Sequence, residues 1–210
     1  MSSEALVTAI LRLYRGHCGE GQALLAAATP VLARLLAQPP GPVTAIRKPA
    51  CRFLAAAMAA GACGPLAGVA HALAAVERKL PWVQNPNYTP ETIGKAFLDR
   101  YAYSEIAGPA GLLSSRRIAV GFLLLGPNTH YPDHHHPAAE VYHVVSGRAE
   151  WRRAGNGWQE RPAGAAIHHP SNVRHAMRTR NEPLLALYCW LGQIATAARL
   201  AAQPMERTGQ

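Results

Sequence analysis

The chain has 210 residues, 49% of them hydrophobic and 16% charged, which is enough apolar material for a full core and too little charge for a disordered polymer. Its formal net charge of +9 raises nucleic acid as a partner. The basic residues are scattered, however (Arg116 and Arg117, Arg152 and Arg153, Arg174, Arg178, Arg180), with no run of five or more and no nucleic-acid-binding signature, so a basic rim that attracts anionic small molecules is expected instead. The N-terminal MSSEALVTAILRLYRGH carries Glu4 and no basic residue ahead of its apolar part, a poor secretion signal. No run of about 18 apolar residues occurs, so no membrane partner is expected. Cys18, Cys51, Cys63 and Cys189 lack CxxC or disulfide-like spacing. Buried thiols in a reducing cytoplasm follow as the expectation.

Residues 1–80 are rich in Ala and Leu and read as three or four short helices packed as a bundle. GQALLAAATPVLARLLAQ places Leu24, Leu25, Leu32, Leu35 and Leu36 at helical spacing, with Pro30 as a break or kink. PACRFLAAAMAAGA opens with Pro49 in a first helical turn, and GPLAGVAHALAAVERKL ends in basic residues that suit a helix C-terminus. His71, inside that last helix, is a core or surface histidine rather than a ligand. Thr89, Pro90 and Glu91 supply a cap, a first-turn proline and a favourable acid for a helix running to about Arg100.

After a Gly/Pro turn at 108–111 the grammar becomes that of strands: RRIAVGFLLLG, EVYHVVSGRAEWRRAG with two apolar runs meeting at Ser146 and Gly147, NGWQERPAGAAIHHP, and VRHAMRTRNEPLLALYCWLG. Asn156-Gly157 is a hairpin signal. The fold class is therefore mainly β, a jelly-roll barrel over residues 81–210 behind an α-helical region over 1–80, whether the helices form a separate domain or simply cover the barrel.

Half of the chain's 10 histidines fall in HYPDHHHPAAEVYHVVSG, residues 130–147. His134 and His136 are two apart and share a strand face, while His135 points the other way. A bend at Pro137 would bring Glu140 to the same point, and His175, following Gly164, Pro170 and Asn172, supplies a third imidazole. Such a nitrogen and oxygen set suits a divalent transition metal: Fe, Mn, Zn, Ni or Co. Ordinary strand positions are the simpler reading of His130, His143, His168 and His169, with support of the ligands as the alternative.

Taken together, His134, His136, Glu140 and Gly147 resemble the first cupin motif (His-x-His, three residues, Glu, six residues, Gly), and Gly164, Pro170 and His175 resemble the second. Two departures stand out. Gly126 lies eight residues before His134 rather than six, and Asn172 replaces the middle glycine of the second motif, a mild change because Asn tolerates the left-handed backbone. The segment YPDHHHPAAEVYHVVSG, the preceding LLLGPNTHYP and the late YCWLG resemble the dimethylsulfoniopropionate lyase cupins. That resemblance implies β-elimination of a metal-bound carboxylate substrate to dimethyl sulfide and acrylate.

The chemistry is consistent with the residues. A proton α to a carboxylate is weakly acidic, so the reaction needs both a divalent cation and a base. Tyr142, two residues after Glu140 on the same face, meets the positional requirement, and Tyr131 is the reserve. The sulfonium group of such a substrate is held by aromatic faces, for which Trp190, Tyr188 and Trp82 are candidates. Another metal-dependent cupin enzyme, a dioxygenase or isomerase, and a non-catalytic small-molecule-binding cupin share the same ligand set. A homodimer is admitted too, because β-rich cupins commonly pair.

Overall fold

The computed structural model describes residues 3–201. Residues 202–210 of the expected barrel segment lie outside the described residues. The first part of the chain is helical: α1 (Ser3–Gly16), α2 (Gln22–Leu36), α3 (Leu54–Ala62), entered through a 3-10 turn at Pro49–Phe53, and α4 (Ala67–Ala74). In α1 the apolar residues Leu6, Val7, Ile10, Leu11 and Tyr14 recur at helical spacing and are all buried. Pro30 does not break α2. It faces solvent, while Leu25, Ala28 and Leu32 anchor the inner face on both sides of it. The basic residues expected at the end of α4 fall beyond it, in a 3-10 turn (Glu77–Lys79) where Glu77 pairs with Arg47.

The expected helix from Pro90 to Arg100 is instead two single turns, α5 (Pro90–Ile93) and α6 (Lys95–Leu98). Thr89 and Thr92 cap the first reciprocally, each hydroxyl accepting the other's backbone N–H at 3.3 and 2.9 Å. Gly94, at φ 88° and ψ 143°, then turns the chain out of the helix.

Eleven strands follow among the described residues: β1 (Tyr101–Gly108), β2 (Leu113–Ser114), β3 (Ile118–Leu125), β4 (His130–His135), β5 (Ala139–Ser146), β6 (Ala149–Arg153), β7 (Gln159–Arg161), β8 (Ala166–His169), β9 (His175–Thr179), β10 (Leu184–Leu191) and β11 (Arg199–Leu200). They form two sheets, ordered β2-β1-β3-β10-β5-β8 and β11-β4-β9-β6-β7. The fold is mainly β, a cupin barrel with helices ahead of it in sequence. β1 begins before the 108–111 turn at which strands were expected to start. At Gly147 (φ 84°) the chain passes from the first sheet to the second, and any Cβ there would come within 2.2 Å of the Pro183 carbonyl. The β6–β7 hairpin exists, but its left-handed residues are Ala154 (φ 50°) and Gly155 (φ 79°) rather than Asn156 and Gly157.

The first sheet has two apolar faces. One, with Val120, Phe122, Leu124, Val141, Leu185 and Leu187, shares a core with Leu25, Leu32 and Leu54 of the helices. The other, with Leu123, Leu125, Tyr142, Val144 and Tyr188, faces the barrel interior and packs with Trp151 and Met177 of the second sheet. That is why IAVGFLLL is apolar without alternation: β3 is covered on both sides and buried at every position. Cys51 and Cys189 are buried free thiols, but Cys18 and Cys63 are exposed, contrary to the expectation, because both sit in the loops that end α1 and α3.

The loop between α1 and α2 is tied to the barrel by polar contacts. Glu20 accepts hydrogen bonds from Arg153 Nη1 at 2.5 Å and from the His168 N–H at 3.2 Å. His143, on the helix-facing side of β5, meets His17 ring to ring, Nε2 to Nδ1 at 3.2 Å. Burial, reinforced by His17, lowers the His143 pKa from 6.5 to about 4.

Two predictions follow from this packing. Leu25→Ala and Leu187→Ala, on opposite sides of the helix–sheet core, should each cost about 2–5 kcal/mol and shift one common melting transition. Separate transitions for helices and barrel would show that the two parts do not share a core. Between its folded pKa of about 4 and its ordinary 6.5, His143 stays neutral in the folded chain while the unfolded chain binds the proton. Its contribution is therefore full above that range and is lost at about 1.4 kcal/mol per pH unit as pH falls through it. Denaturant melts of His143→Gln should show a flatter acid limb than those of the unsubstituted chain; an unchanged slope would remove His143 as a source.

Candidate metal centre

β4 and β5 meet across the Pro137 bend, and β4 pairs with β9 in the register His134↔His175. This brings the motif residues together inside the barrel. The donor atoms of His136, Glu140 and His175 all lie within 4.8 Å of one another, and all three residues are buried. Glu140 Oε2 stands 3.1 Å from His136 Nε2 and 3.5 Å from His175 Nε2. His134, the fourth expected ligand, adjoins this triad with its ring 4.1 Å from that of His175, centroid to centroid.

The tautomers of the imidazoles follow from their backbone contacts. Nδ1 of His134, His136 and His175 each lies 2.8–2.9 Å from a main-chain carbonyl two residues away, of Pro132, Ala138 and Val173 respectively. A carbonyl only accepts, so each Nδ1 carries the proton and each Nε2 presents a lone pair. Burial also keeps the His134 and His175 rings neutral: it lowers the His134 pKa to about 3 and that of His175 well below the ordinary value. His175 Nε2 makes no hydrogen bond within the described residues. Imidazole lone pairs facing a carboxylate oxygen at 3.1 and 3.5 Å form a cluster of acceptors that lacks positive charge, so the residues fit a divalent cation. Burial alone would raise the Glu140 pKa; the Trp190 N–H is among the contacts that outweigh it and hold Glu140 below the usual carboxylate value.

Against His134, His136 and Glu140 lies a cavity of about 300 Å³. Tyr142, Tyr131, Tyr188 and Trp190 all line it. Trp190 has a further role: its Nε1–H donates to Glu140 Oε1 at 2.6 Å, and its ring stacks on His136 at 4.1 Å. The Tyr131 ring stacks on His134 at 3.8 Å and 3°, and its hydroxyl meets that of Tyr88 at 2.8 Å. Burial raises the pKa of Tyr131 and Tyr142 well above 10, and Glu140 adds to the rise at Tyr142. Trp82 does not reach the cavity. It is fully buried in the helix-side core: its segment bridges β1 through Val83 and Tyr103, and the Trp82 side chain falls on the helix side. The expected basic rim is also absent from the cavity, for neither Lys nor Arg lines it among the described residues. Arg152 and Arg178 instead stack on Trp158 and pair with Asp133 and Glu150.

Several residues of the site were not singled out from the sequence. Tyr88, Tyr101 and Tyr103 join the aromatic wall, with Tyr101 5.4 Å from Tyr131 by ring centroids. Asn85 and Asn87 both donate to the Ala198 carbonyl at 2.9 Å, drawing the 194–198 segment over the cavity. His169, read as an ordinary strand histidine, pairs with Glu140 in register and stacks on His175 at 4.0 Å and 11°. The alternation Tyr101, Tyr103, Glu105 was the available signal for β1. Asn172, by contrast, has φ 59°, the left-handed conformation that its place in the second motif required.

Fold and site together define a single-barrel cupin with a buried histidine–carboxylate centre. Residues 26–186 match the dimethylsulfoniopropionate lyase family, and the chain belongs to that family. It is 34% identical over 110 residues to the dimethylsulfoniopropionate lyase DddQ of Ruegeria pomeroyi and 33% identical over 153 residues to the DddL protein of Cereibacter sphaeroides. These matches take in 52% and 69% of this chain and 55% and 60% of the two relatives, so the chain spans somewhat over half the length of the curated relatives it matches. The crystal structure of DddQ from Ruegeria pomeroyi covers 95% of this chain and 98% of its own at 27% identity, with a TM-score of 0.70. A chain from the crystal structures of the lyases RdDddP and RnDddQII gives 0.73 at the same identity, covering 95% and 100%. No helix among the described residues is long and apolar enough to cross a membrane.

His136→Ala, Glu140→Gln and His175→Ala should each reduce bound divalent metal from about one ion per chain to a small fraction, measured by elemental analysis of purified protein. Full retention in any one of them removes that residue from the ligand set.

Proposed function

We propose that this chain is a metal-dependent carbon–sulfur lyase that cleaves dimethylsulfoniopropionate, or a close carboxylate analogue, to dimethyl sulfide and acrylate. The observation that carries this reading is the placement of two buried tyrosines in the cavity that His136 and Glu140 of the donor set also line. Membership of the family and the likeness to proteins named as dimethylsulfoniopropionate lyases support it.

A divalent cation held by His136, Glu140, His175 and His134 would supply positive charge that stabilises a carboxylate ligand and lowers the pKa of a nearby phenol. Tyr142 is the proposed base. Burial and the Glu140 charge both raise its pKa, so it needs compensating positive charge to take a proton, and Tyr142 sits two residues from Glu140 on the same strand face. Removal of the proton α to the carboxylate lets that electron pair form the Cα–Cβ double bond. The Cβ–S bond breaks as it forms, and the sulfide leaves neutral, without an acid. Tyr131, tied by its hydroxyl to Tyr88, is the reserve base. Trp190 keeps Glu140 turned toward the histidines, and the Tyr188 ring offers a face for the sulfonium.

Protein loaded in turn with Fe, Mn, Zn, Ni and Co should release dimethyl sulfide into the headspace above a metal-stripped control; no release with any of them rejects the lyase reading. Tyr142→Phe should lose roughly 10²–10⁴-fold in turnover while keeping its metal. Full activity in that variant, with loss in Tyr131→Phe, would transfer the base role to Tyr131.

A further inference from the structure

Two carboxylates line the cavity, and the metal centre accounts for only one of them. The other belongs to Glu105 on β1. It shares the cavity-facing side of the strand with Tyr101 and Tyr103, while Ala102 and Ile106 face the helices. The β1–β3 register slips between Glu105 and Ala107, an irregularity of the kind that re-aims a side chain. The carboxyl group lies over Gly108, where a Cβ would come within 2.3 Å of it, and Oε1 accepts the Ala110 N–H at 2.6 Å. Burial raises the pKa of Glu105 above the usual carboxylate value, and the Ala110 and Gly111 amides partly offset the rise. Among the described residues no Lys, Arg or His forms an ion pair with it. A largely buried anion held in place without a cation is an incomplete pair.

Its surroundings indicate which cation completes it. Glu105, Gly121, Tyr188 and Tyr142 stand in register across four neighbouring strands, so Glu105 and Tyr142 are roughly 14 Å apart along the sheet. Gly121 leaves room for the Tyr188 ring, since a Cβ there would lie 2.6 Å from the Tyr188 hydroxyl. The phenol thus lies over β3, in the direction of Glu105. After burial, the Glu105 charge is the largest influence raising the Tyr188 pKa, and it raises that of Tyr103 too. The cavity therefore carries negative charge at both ends, with phenol rings between them. The 110–111 amides occupy part of the carboxylate's acceptor capacity, and the cavity wall beside it is mostly rings and apolar side chains, a poor match for a head group bearing several N–H donors. One that carries its charge on methyl groups needs only the field of the carboxylate and the faces of the rings.

We infer that Glu105, with Tyr103 and Tyr188 beside it, is the recognition site for a methylated onium group, sulfonium or quaternary ammonium, on a substrate whose carboxylate sits at the metal centre. This rests on the proposed function for the carboxylate end of the cavity and adds a counter-charge for the cationic end. Glu105 is a specificity-determining residue: it selects the positive charge and takes no part in proton transfer.

The test uses metal-loaded full chain and two carboxylate ligands of one shape, 3-(trimethylammonio)propionate and 4,4-dimethylpentanoate, whose head group is uncharged, with affinities measured by calorimetry. The unsubstituted protein should prefer the onium ligand by about tenfold or more. Glu105→Gln keeps a carbonyl oxygen for the Ala110 N–H, so the turn is preserved and only the charge is lost. It should weaken the onium ligand about tenfold and leave 4,4-dimethylpentanoate within about twofold. Preference retained in Glu105→Gln overturns the inference. So does parallel weakening of both ligands, the mark of a residue that merely braces the 108–111 turn, and so does absence of preference in the unsubstituted protein. The outcome is separable from that of the lyase assay. Onium preference lost with Glu105 in a protein that releases no dimethyl sulfide upholds this site and rejects the lyase reading; release with preference unaffected by Glu105→Gln does the reverse.

Discussion

A carboxylate with no solvent exposure is the constraint around which the barrel is arranged. Glu140 lies near the start of β5 in the first sheet with no exposure, where a charge stripped of water has to be matched by donors or by positive charge. One oxygen receives the Trp190 indole N–H from β10, the strand beside it. The other faces imidazoles contributed by the end of the β4–β5 bend and by β9 of the opposite sheet. The two sheets must therefore close to within ligand distance for Glu140 to be buried at all. The backbone carbonyls that orient the imidazoles keep their inward nitrogens unprotonated, and this converts a costly burial into a set of acceptors ready for a cation.

The helices allow this arrangement by covering the outer face of the sheet that carries Glu140. With β3, β5 and β10 apolar on the helix side, the strands are held from behind, and the inner face is free to be lined by tyrosine, tryptophan and histidine. The interior that results is dry enough to keep Tyr131, Tyr142 and Tyr188 protonated and His134 and His175 neutral, since burial is the leading cause of the shift in each of them. In such a medium a few fixed charges dominate recognition. Glu140 marks one end and Glu105 the other, and no lysine or arginine among the described residues lies between them to cancel either.

Much of the metal centre was legible from local spacing. His134 and His136 share a face by the two-residue period of a strand, Glu140 follows across the Pro137 bend, and Asn172 takes the left-handed backbone its position demanded. What local pattern could not resolve were residues whose role depends on a distant strand. Trp82 looked like an available aromatic face and is core, because its side chain falls on the helix side of the sheet. Trp190 looked like a cage wall and is also the N–H donor that turns Glu140, a role set by the β5–β10 register. His169 gained its stack on His175, and Tyr88 its hydrogen bond to Tyr131, from contacts that no period in the sequence announces. Pro30 and Gly94 each went against the simplest reading: in α2, packing overrode a helix breaker, and after α5, with no buried face to hold the next turn, a glycine ended the helix.

The sequence by itself determined the class of fold and the chemical character of the site. Strand periodicity and turn glycines specify which neighbouring side chains share a face, and the two motifs place a carboxylate and histidines on such faces in a fixed order. Only the tertiary structure decided which residues meet across the barrel. Closure of the two sheets, the irregular β1–β3 register and the gap at Gly121 are properties of strand pairs far apart in the chain, and they put Glu105 and the tyrosine wall into one cavity with the metal centre.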